Sequence, residues 1–321
     1  MAPPVPETIR KGHWNCLQLK AGDAAVEVIP DRGGIITQWN VVRQGSPLPL
    51  LWLRPGYHDE PPDRSHPLGG GIPVLFPCCG PTASEGQTGR YVAEWKPYFI
   101  GIHGFGPWAR WAIVEARQEG TSAVATLALR DTPETRQVYP FAFETVISYS
   151  LHPRSLRVDW TVENRSSSPL PVSPGLHPYF RLPFTNAGSR DEVTVTTSAK
   201  TRFLPEEPVR IWSGRSEPLP SGQFRLGDLP FGGPFTVGEY AEPRFTVRDP
   251  ACGIEVEATW PAPQKDGDGP YLNFYTPDAK TPTFCVEPFL GLQNAFNHGR
   301  GLVRIAPGQR WTWWFQMSVR L

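Results

Sequence analysis

Three residues whose side chains can move protons near neutral pH stand in similar surroundings along the chain. They are two histidines and a glutamate, in the segments GIHGFGPW (His103), SPGLHPYF (His177) and FCVEPF (Glu287). An imidazole and a carboxylate both change charge near neutral pH after a modest change of environment, so together they can serve as general acid and general base. Each stands at the end of an apolar or strand-like run, from which a side chain can project into a cavity.

Aromatic rings flank two of these candidates, since Tyr179 follows His177 and Phe289 follows Glu287. Such rings offer flat apolar faces of the kind that pack against the C–H surface of a sugar. Taken singly, each histidine reads as an ordinary hydrogen-bonded residue and the glutamate as a solvated strand end. Glu287 departs from that reading because FCV and PFL on either side predict burial, and a buried carboxylate needs a partner or a raised pKa.

Motifs for cofactor and metal chemistry are missing from the sequence. We find no phosphate-cradling G-x-x-x-x-G-K-[ST], no dinucleotide fingerprint, no H-E-x-x-H and no G-x-S-x-G. The three glycines at 69–71 precede the strand-like IPVLF rather than a helix, so we expect them to allow close backbone packing. We therefore expect no cofactor and no metal.

Composition narrows the class of partner and the location. Lys and Arg together number 31, as do Asp and Glu, and no basic run stands out, which disfavours nucleic-acid binding. The opening MAPPVPETIRK lacks the apolar stretch of a signal peptide, and nowhere do 18 apolar residues run uninterrupted. Five cysteines without a C-x-x-C pair read as reduced thiols. We expect a cytoplasmic protein with no membrane partner.

Short apolar or alternating runs joined by polar turns are the dominant local pattern, and they are typical of antiparallel hairpins. The predicted hairpins join residues 112–116 to 123–129, 144–151 to 156–162, 245–248 to 254–259, and 302–305 to 310–319. No segment of about 12 residues carries a capped helical stripe. We predict one all-β domain over residues 1–321, with 1–12 as a loose N-terminal extension. The segments 54–71, 81–89 and 261–269 read as loops that can wall a pocket.

A family resemblance is distributed over most of the chain. The segments that carry it, in order from Val26 to Met317, are VEVIPDRGGIITQWNV, GGGIPVLFP, HGFGPW, YPFAFETVISYSL, LRVDWTVENRSSSPLPVSPGLHPYF, YLNFYTP and CVEPFLGLQNAFNHGRGLVRIAPGQRWTWWFQM. The chain resembles the aldose 1-epimerase family of the galactose mutarotase-like superfamily. This resemblance implies a large antiparallel β-supersandwich and a cofactor-independent isomerase that opens and recloses a cyclic aldose at its anomeric carbon.

The resemblance also implies roles for individual residues. Glu287 matches the family's general base, His177 its general acid, and His103 a second histidine that holds the sugar. We further expect substrate contacts from Arg90, Asp249, Tyr179 and Phe289. The site hypothesis requires that His177 and Glu287 face each other across one pocket, about a pyranose ring apart.

The chain departs from family patterns at several places. Where galactose mutarotases carry an Asn-Arg pair, the chain has Cys78, Cys79 and Gly80. Hexose-6-phosphate mutarotases carry arginines where this chain has Gly69 and Pro107, which disfavours a phosphorylated sugar because arginine is the usual bidentate phosphate partner. Candidates to replace the missing arginine are Arg54, Arg90 and Arg110, and candidates for the family's sugar-binding aspartate are Asp228 and Asp249.

Several functions stay open at this stage. The first is a mutarotase acting on a small sugar, as a monomer or weak homodimer. The second is a catalytically silent carbohydrate-binding or regulatory protein, and a hexose-6-phosphate mutarotase is less favoured. A glycoside hydrolase or lyase is disfavoured because a hydrolase ordinarily needs two carboxylates, and Glu287 has no evident partner from a motif.

Overall fold

A computed structural model describes residues 6–61, 68–262 and 269–321, and strands dominate it. The strands, in chain order, are β1 (Glu7–Lys11), β2 (Trp14–Ala21), β3 (Ala24–Ile29), β4 (Ile35–Arg43), β5 (Ser46–Pro49), β6 (Val74–Leu75), β7 (Ala83–Ser84), β8 (Gln87–Thr88), β9 (Arg90–Ala93), β10 (Lys96–Phe99), β11 (Ala112–Glu119), β12 (Ser122–Arg130), β13 (Phe143–His152), β14 (Ser155–Asn164), β15 (Leu170–Val172), β16 (Gly175–Leu176), β17 (Tyr179–Arg181), β18 (Thr194–Glu206), β19 (Ile211–Pro218), β20 (Gln223–Arg225), β21 (Phe235–Arg248), β22 (Glu255–Thr259), β23 (Tyr271–Tyr275), β24 (Thr283–Phe289), β25 (Val303–Ile305) and β26 (Arg310–Arg320). The helical elements are short: α1 (Pro133–Val138), α2 (Ala295–His298) and the 3₁₀ turns Tyr57–Asp59, Gly106–Trp108, Arg190–Glu192 and Leu226–Asp228.

Strict alternation of buried and partly exposed side chains explains the hairpin of β13 and β14, two strands of 10 residues each. In β13 and β14 every second residue is buried, and the two strands pair from Phe143 opposite Asn164 to His152 opposite Ser155. A period of two puts one face of a strand in the core and the other towards solvent. The hairpin predicted for 144–151 and 156–162 is confirmed, as are those of β11 with β12 and β21 with β22.

Two sheets pack face to face. β1 to β5 form a five-stranded sheet in chain order, and the large sheet runs β11-β12-β13-β14-β26-β22-β21-β23-β24-β16-β6, with β17 to β20 branching from it. β2 and β3 pack against β12 and β13, and one apolar core joins both layers through large buried rings such as Trp39, Trp160 and Phe315. The predicted all-β antiparallel sandwich is confirmed.

Two sequence-based expectations about the elements are wrong. Residues 302–305 and 310–319 do not form a hairpin: β25 pairs with β15, whereas β26 lies between β14 and β22. The aromatic face of β26 is buried by neighbours from both halves of the chain, and this long-range pairing outweighs the local turn. Residues 1–12 are not all a loose extension, because β1 is an edge strand paired with β2 along its full length. Residues 1–5 lie outside the described residues.

The three predicted loops have different outcomes. Residues 81–89 contain the short strands β7 and β8, which pair with each other. The segments 54–71 and 261–269 lie in part outside the described residues. In the described part of the chain, no helix is both long enough and apolar enough to cross a membrane.

Candidate active site

A pocket of about 330 Å³ opens over the large sheet where β16, β17, β23 and β24 lie side by side. Five of the residues predicted from the sequence line it: His103, His177, Tyr179, Glu287 and Phe289. The segments that bring them together are far apart in the sequence. The structure thus assembles one concave site from the two histidine motifs and the glutamate motif.

Strand register places a row of polar residues across the pocket floor. Gly175 pairs with Phe289 and Tyr179 pairs with Cys285, so His177 falls opposite Glu287. On the other side of β24, Asn273 of β23 pairs with Glu287, and Thr236 of β21 pairs with Asn273. Cross-strand partners point to the same face of a sheet. The row His177, Glu287, Asn273 and Thr236 is therefore a product of sheet register.

His177 and Glu287 touch rather than face each other across a ring-sized gap. Nε2 of His177 lies 3.3 Å from Oε2 of Glu287, with side chains 5% and 1% exposed. The expected separation of about a pyranose ring is wrong, because His177, in the link between β16 and β17, lies directly opposite Glu287 of the adjoining strand β24. Nδ1 of His177 and Oε1 of Glu287 have no hydrogen-bond partner among the described residues.

Burial drives both members of this pair towards their neutral forms. It raises the pKa of Glu287 well above the usual 4.5, and a hydrogen bond from Asn273 offsets part of the rise. Burial also lowers the pKa of His177 well below 6.5, and the nearby His103 adds to the effect. Desolvation disfavours whichever form is charged. Burial therefore favours a protonated carboxyl group on Glu287 and a neutral imidazole on His177.

His103 stands in a tight turn that fixes its tautomer. Its backbone φ is +64°, and its amide N–H donates to the Gly80 carbonyl at 3.1 Å. The Gly80 N–H donates in turn to His103 Nδ1 at 3.1 Å, so Nδ1 is an acceptor and the ring proton is on Nε2. Burial lowers the pKa of His103 to about 3, which keeps the ring neutral. His103 is thus a neutral hydrogen-bond donor at the pocket wall.

The flanking aromatic residues hold the imidazole rings. Tyr179 stacks on His177 with ring centroids 4.4 Å apart and planes 7° from parallel. Phe289 meets His103 edge to face at 5.9 Å, and the two imidazoles lie 5.5 Å apart. Packing of this kind fixes the ring orientations before any ligand arrives.

Polar residues missed by the sequence analysis complete the site. Asn273 Oδ1 accepts hydrogen bonds from Thr236 Oγ1 at 3.0 Å and from Gln293 Nε2 at 3.3 Å. With its oxygen occupied in this way, Asn273 presents its amide N–H₂ to Glu287. An asparagine inside the apolar strand YLNFY was a signal for this role, since a buried amide needs partners.

Arg210 also lines the pocket, from the turn between β18 and β19. Its φ is +64°, and its backbone N–H donates to the Glu206 carbonyl at 2.7 Å. Its side chain is half exposed, and its Nε lies 3.8 Å from the Glu207 carboxylate. Nothing in the PVR segment around it signalled a place at the pocket.

Two predicted substrate contacts are wrong. Arg90 Nη1 binds Ser84 Oγ at 3.2 Å and Glu85 at 3.0 Å, so its charge is used to hold the β7–β8 segment. Asp249 is fully buried and accepts the backbone N–H groups of Phe184 at 3.0 Å and Ala251 at 3.1 Å, which makes it a turn residue. The pocket lining described by the structure includes neither, nor does it include the other candidates Arg54, Arg110 and Asp228.

Two side-chain clusters among the described residues offer atoms of metal-ligand type. Cys16, Glu27 and His58 form one in the small sheet, and His177, Cys285 and Glu287 form the other at the pocket. In each cluster the ligand-type atoms lie within 4.8 Å of one another.

Comparisons with known proteins agree with this architecture. A family model described as aldose 1-epimerase matches residues 15–318. The plasmid protein LacX of Lactococcus lactis subsp. lactis is 23% identical over 243 residues, which cover 72% of this chain and 77% of LacX. The crystal structure of the Slr1438 protein from Synechocystis sp. has a TM-score of 0.79 at 26% identity, covering 99% of this chain and 97% of that one.

A galactose mutarotase-like protein from Clostridium acetobutylicum has a TM-score of 0.81 at 18% identity, covering 98% and 99% of the two chains, and supports the fold alone. The family match spans nearly the whole sequence. The chain belongs to the aldose 1-epimerase family.

Proposed function

We propose that the protein is an aldose 1-epimerase that interconverts the α and β anomers of a small sugar, with Glu287 and His177 as its proton-transfer pair. The observation that carries the proposal is the contact between these two groups at the floor of one pocket, 3.3 Å apart. Family membership supports an isomerase, and the geometry supports this reaction in particular.

The short distance suits the reaction better than a wide one. Opening a hemiacetal removes a proton from the O1 hydroxyl and delivers one to the ring oxygen O5, and both oxygens are bonded to the same carbon, C1. A proton acceptor and a proton donor side by side can therefore serve both oxygens. If the two groups lay on opposite sides of the sugar ring, only one of the two groups could reach O1 and O5.

The steps balance within the pair. A proton shift from Glu287 to His177 gives a carboxylate and an imidazolium. The carboxylate then takes the O1 proton while the imidazolium protonates O5, the C1–O5 bond breaks and C1=O1 forms. Rotation about C1–C2 followed by the reverse transfers closes the ring as the other anomer. The pair ends with the single proton it started with, so catalysis consumes no co-reactant.

Other pocket residues supply the sugar contacts in this proposal. His103 Nε2–H is a fixed donor to a sugar oxygen, and Tyr179 offers a ring edge beside the reacting centre. Arg210 takes the part expected of the family's arginine, because it lines the pocket from a different segment and its contact with Glu207 is long, at 3.8 Å. Arg90 and Asp249 have no part in it.

The test follows the optical rotation of freshly dissolved α-glucose and α-galactose with and without protein. Wild type is expected to accelerate the approach to equilibrium for at least one aldose, and Glu287→Gln to lower kcat by at least about 10²-fold. Glu217→Gln, at an exposed surface ion pair with Arg202, is the matched control and should act like wild type. A wild-type rate in a folded Glu287→Gln variant would remove Glu287 from the mechanism.

One observation favours a second function, a sugar-binding protein without catalysis. Where galactose mutarotases carry an Asn-Arg pair, Cys78 and Cys79 are both buried here, and neither is among the residues that line the pocket. Measurable sugar binding by calorimetry together with no acceleration for any common aldose would favour this alternative. Acceleration of any anomerisation that depends on Glu287 would exclude it.

A further inference from the structure

The pocket cluster of His177, Cys285 and Glu287 has the composition of a zinc site. Cys285 and Glu287 are two residues apart on β24 and so point to the same face, and His177 stands opposite Glu287 on the adjoining segment. Thiolate, imidazole and carboxylate together suit zinc, whereas magnesium and calcium prefer oxygen ligands alone. All three side chains are buried, and the ligand-type atoms lie within 4.8 Å of one another.

The distances already approach those of a tetrahedral centre. With Zn–N of about 2.0–2.1 Å and Zn–O of about 2.0–2.2 Å, the nitrogen and oxygen ligands of one zinc ion lie about 3.4 Å apart. His177 Nε2 and Glu287 Oε2 are 3.3 Å apart, so this pair needs no movement. A Zn–S bond of about 2.3 Å sets the sulfur about 3.6 Å from the other ligands, so the Cys285 side chain has to move closer only within a cluster whose ligand-type atoms already lie within 4.8 Å of one another.

The second cluster, in the small sheet, serves as a comparison within the same protein. There the Glu27 carboxylate is saturated: Oε1 accepts from Thr37 and His58, each at 2.7 Å, and Oε2 accepts from Gln18 at 2.7 Å and Lys11 at 2.5 Å. The Lys11 ammonium already neutralises the carboxylate and would repel a second cation.

In the pocket cluster the Glu287 carboxyl group has fewer partners, namely a hydrogen bond from Asn273 and the 3.3 Å contact of Oε2 with His177 Nε2. Oε1 of Glu287 and Nδ1 of His177 are without a hydrogen-bond partner within the described residues, and no lysine or arginine there is paired with Glu287. A buried carboxyl oxygen without a partner is costly, and a cation would satisfy it. The two clusters contain the same residue types, but of the two carboxyl groups only that of Glu287 has an oxygen without a hydrogen-bond partner within the described residues.

From these contacts we infer that Zn²⁺ binds at the catalytic pair through His177 Nε2, the Glu287 carboxylate and the Cys285 thiolate, and inhibits the enzyme reversibly. Bound zinc takes the lone pairs that the two proton transfers require. Its inhibitory effect rests on the proposed function, but the binding does not. Cys285 is fully buried behind the pair and has no part in the proposed proton transfers.

The experiment uses the full chain without a histidine tag, freed of metal by a chelator. Cobalt(II) replaces zinc as a spectroscopic probe, because a thiolate ligand gives a sulfur-to-cobalt charge-transfer band in the near ultraviolet. Wild type should show the band, and zinc should displace it. Cys285→Ala should lose the band and at least about 10-fold in zinc affinity, whereas Cys16→Ala, in the saturated cluster, should keep both. Glu287→Gln provides a second ligand variant if Cys285→Ala fails to fold.

Activity gives the second readout, taken as the ratio of rates with and without zinc in each variant. Zinc should inhibit wild type and Cys16→Ala, a chelator should restore the rate, and Cys285→Ala should need at least about 10-fold more zinc. A cobalt band in a protein that accelerates no anomerisation would support the site and count against the proposed function. An active enzyme with no band and no zinc inhibition would overturn the site alone, as would a band lost in Cys16→Ala.

Discussion

Replacing Glu27 by glutamine tests the electrostatics of the small sheet in isolation from the pocket. Glu27 is 1% exposed, and its carboxylate accepts hydrogen bonds from His58, Lys11, Thr37 and Gln18. Burial by itself would raise the pKa of this carboxyl, but the hydrogen bonds prevail and lower it from 4.5 to about 2. Glutamine keeps the shape and removes the charge.

The pKa shift sets the size of the effect. A change of one in pKa is worth about 1.36 kcal/mol, so the fall in the Glu27 pKa from 4.5 to about 2 corresponds to about 3 kcal/mol of folding free energy. Because the pKa is lower in the folded protein, this stabilisation is fully present above the unfolded value of 4.5. It is lost as the pH falls towards 2. Wild type should therefore exceed Glu27→Gln in unfolding free energy by about 3 kcal/mol at pH 7, and the gap should close on acidification.

Urea unfolding followed by tryptophan fluorescence, at a series of pH values from 7 down to about 2.5, measures this difference. Glu217→Gln is the control, because an exposed ion pair is worth about 0–1 kcal/mol and its loss should change stability little at any pH. A gap between wild type and Glu27→Gln that is below about 1 kcal/mol at pH 7, or that stays constant with pH, would refute the claim that a saturated, ionised Glu27 holds β1 and β2 to β3.

Three further substitutions test the site, and a fourth tests the tight turn beside it. His177→Asn should lower kcat by at least about 10²-fold in the polarimetric assay while the circular dichroism spectrum stays unchanged; a wild-type kcat would exclude His177 as a proton carrier. His103→Asn, which tolerates a positive φ but is too short to reach the sugar, should raise KM more than it lowers kcat. Arg210→Ala should raise KM about tenfold, and an unchanged KM would remove Arg210 from the sugar contacts. Gly104→Ala should lower the unfolding free energy by at least about 2 kcal/mol in urea titrations. The reason is that the backbone φ of Gly104 is +72° and the added Cβ would lie 2.2 Å from the Phe76 carbonyl oxygen. Wild-type stability of this variant would contradict the prediction.

The fold was predictable from the sequence because its signals are local. Alternation along residues 144–151 and 156–162 and the turn between them fix both strands and their pairing without knowledge of the rest of the chain. The placement of β26 was not predictable, because its partners β14 and β22 are distant in the sequence, and the turn before it carries no information about them. Local patterns determine elements, and long-range register determines their neighbours.

In the site, too, the local features were predictable from the sequence and the long-range ones were not. His103, His177 and Glu287 were found because each stands in a distinctive motif. The predicted distance between His177 and Glu287 was wrong because the true distance depends on the pairing of β24 with both β16 and β17. No sequence motif encodes that pairing. Arg210 was missed because a hairpin turn reads as solvent-exposed until the tertiary fold carries it over a pocket.

The place of β26 has a consequence for how a newly synthesised chain matures. His177 and Glu287 both precede β26 in the sequence, yet among the described strands of the large sheet β26 alone joins β14 to β22. Until β26 emerges from the ribosome, both of those strands present open edges, which can template pairing with another chain. A nascent chain of this protein therefore keeps two open strand edges until β26 has been made, even though His177 and Glu287 were made earlier.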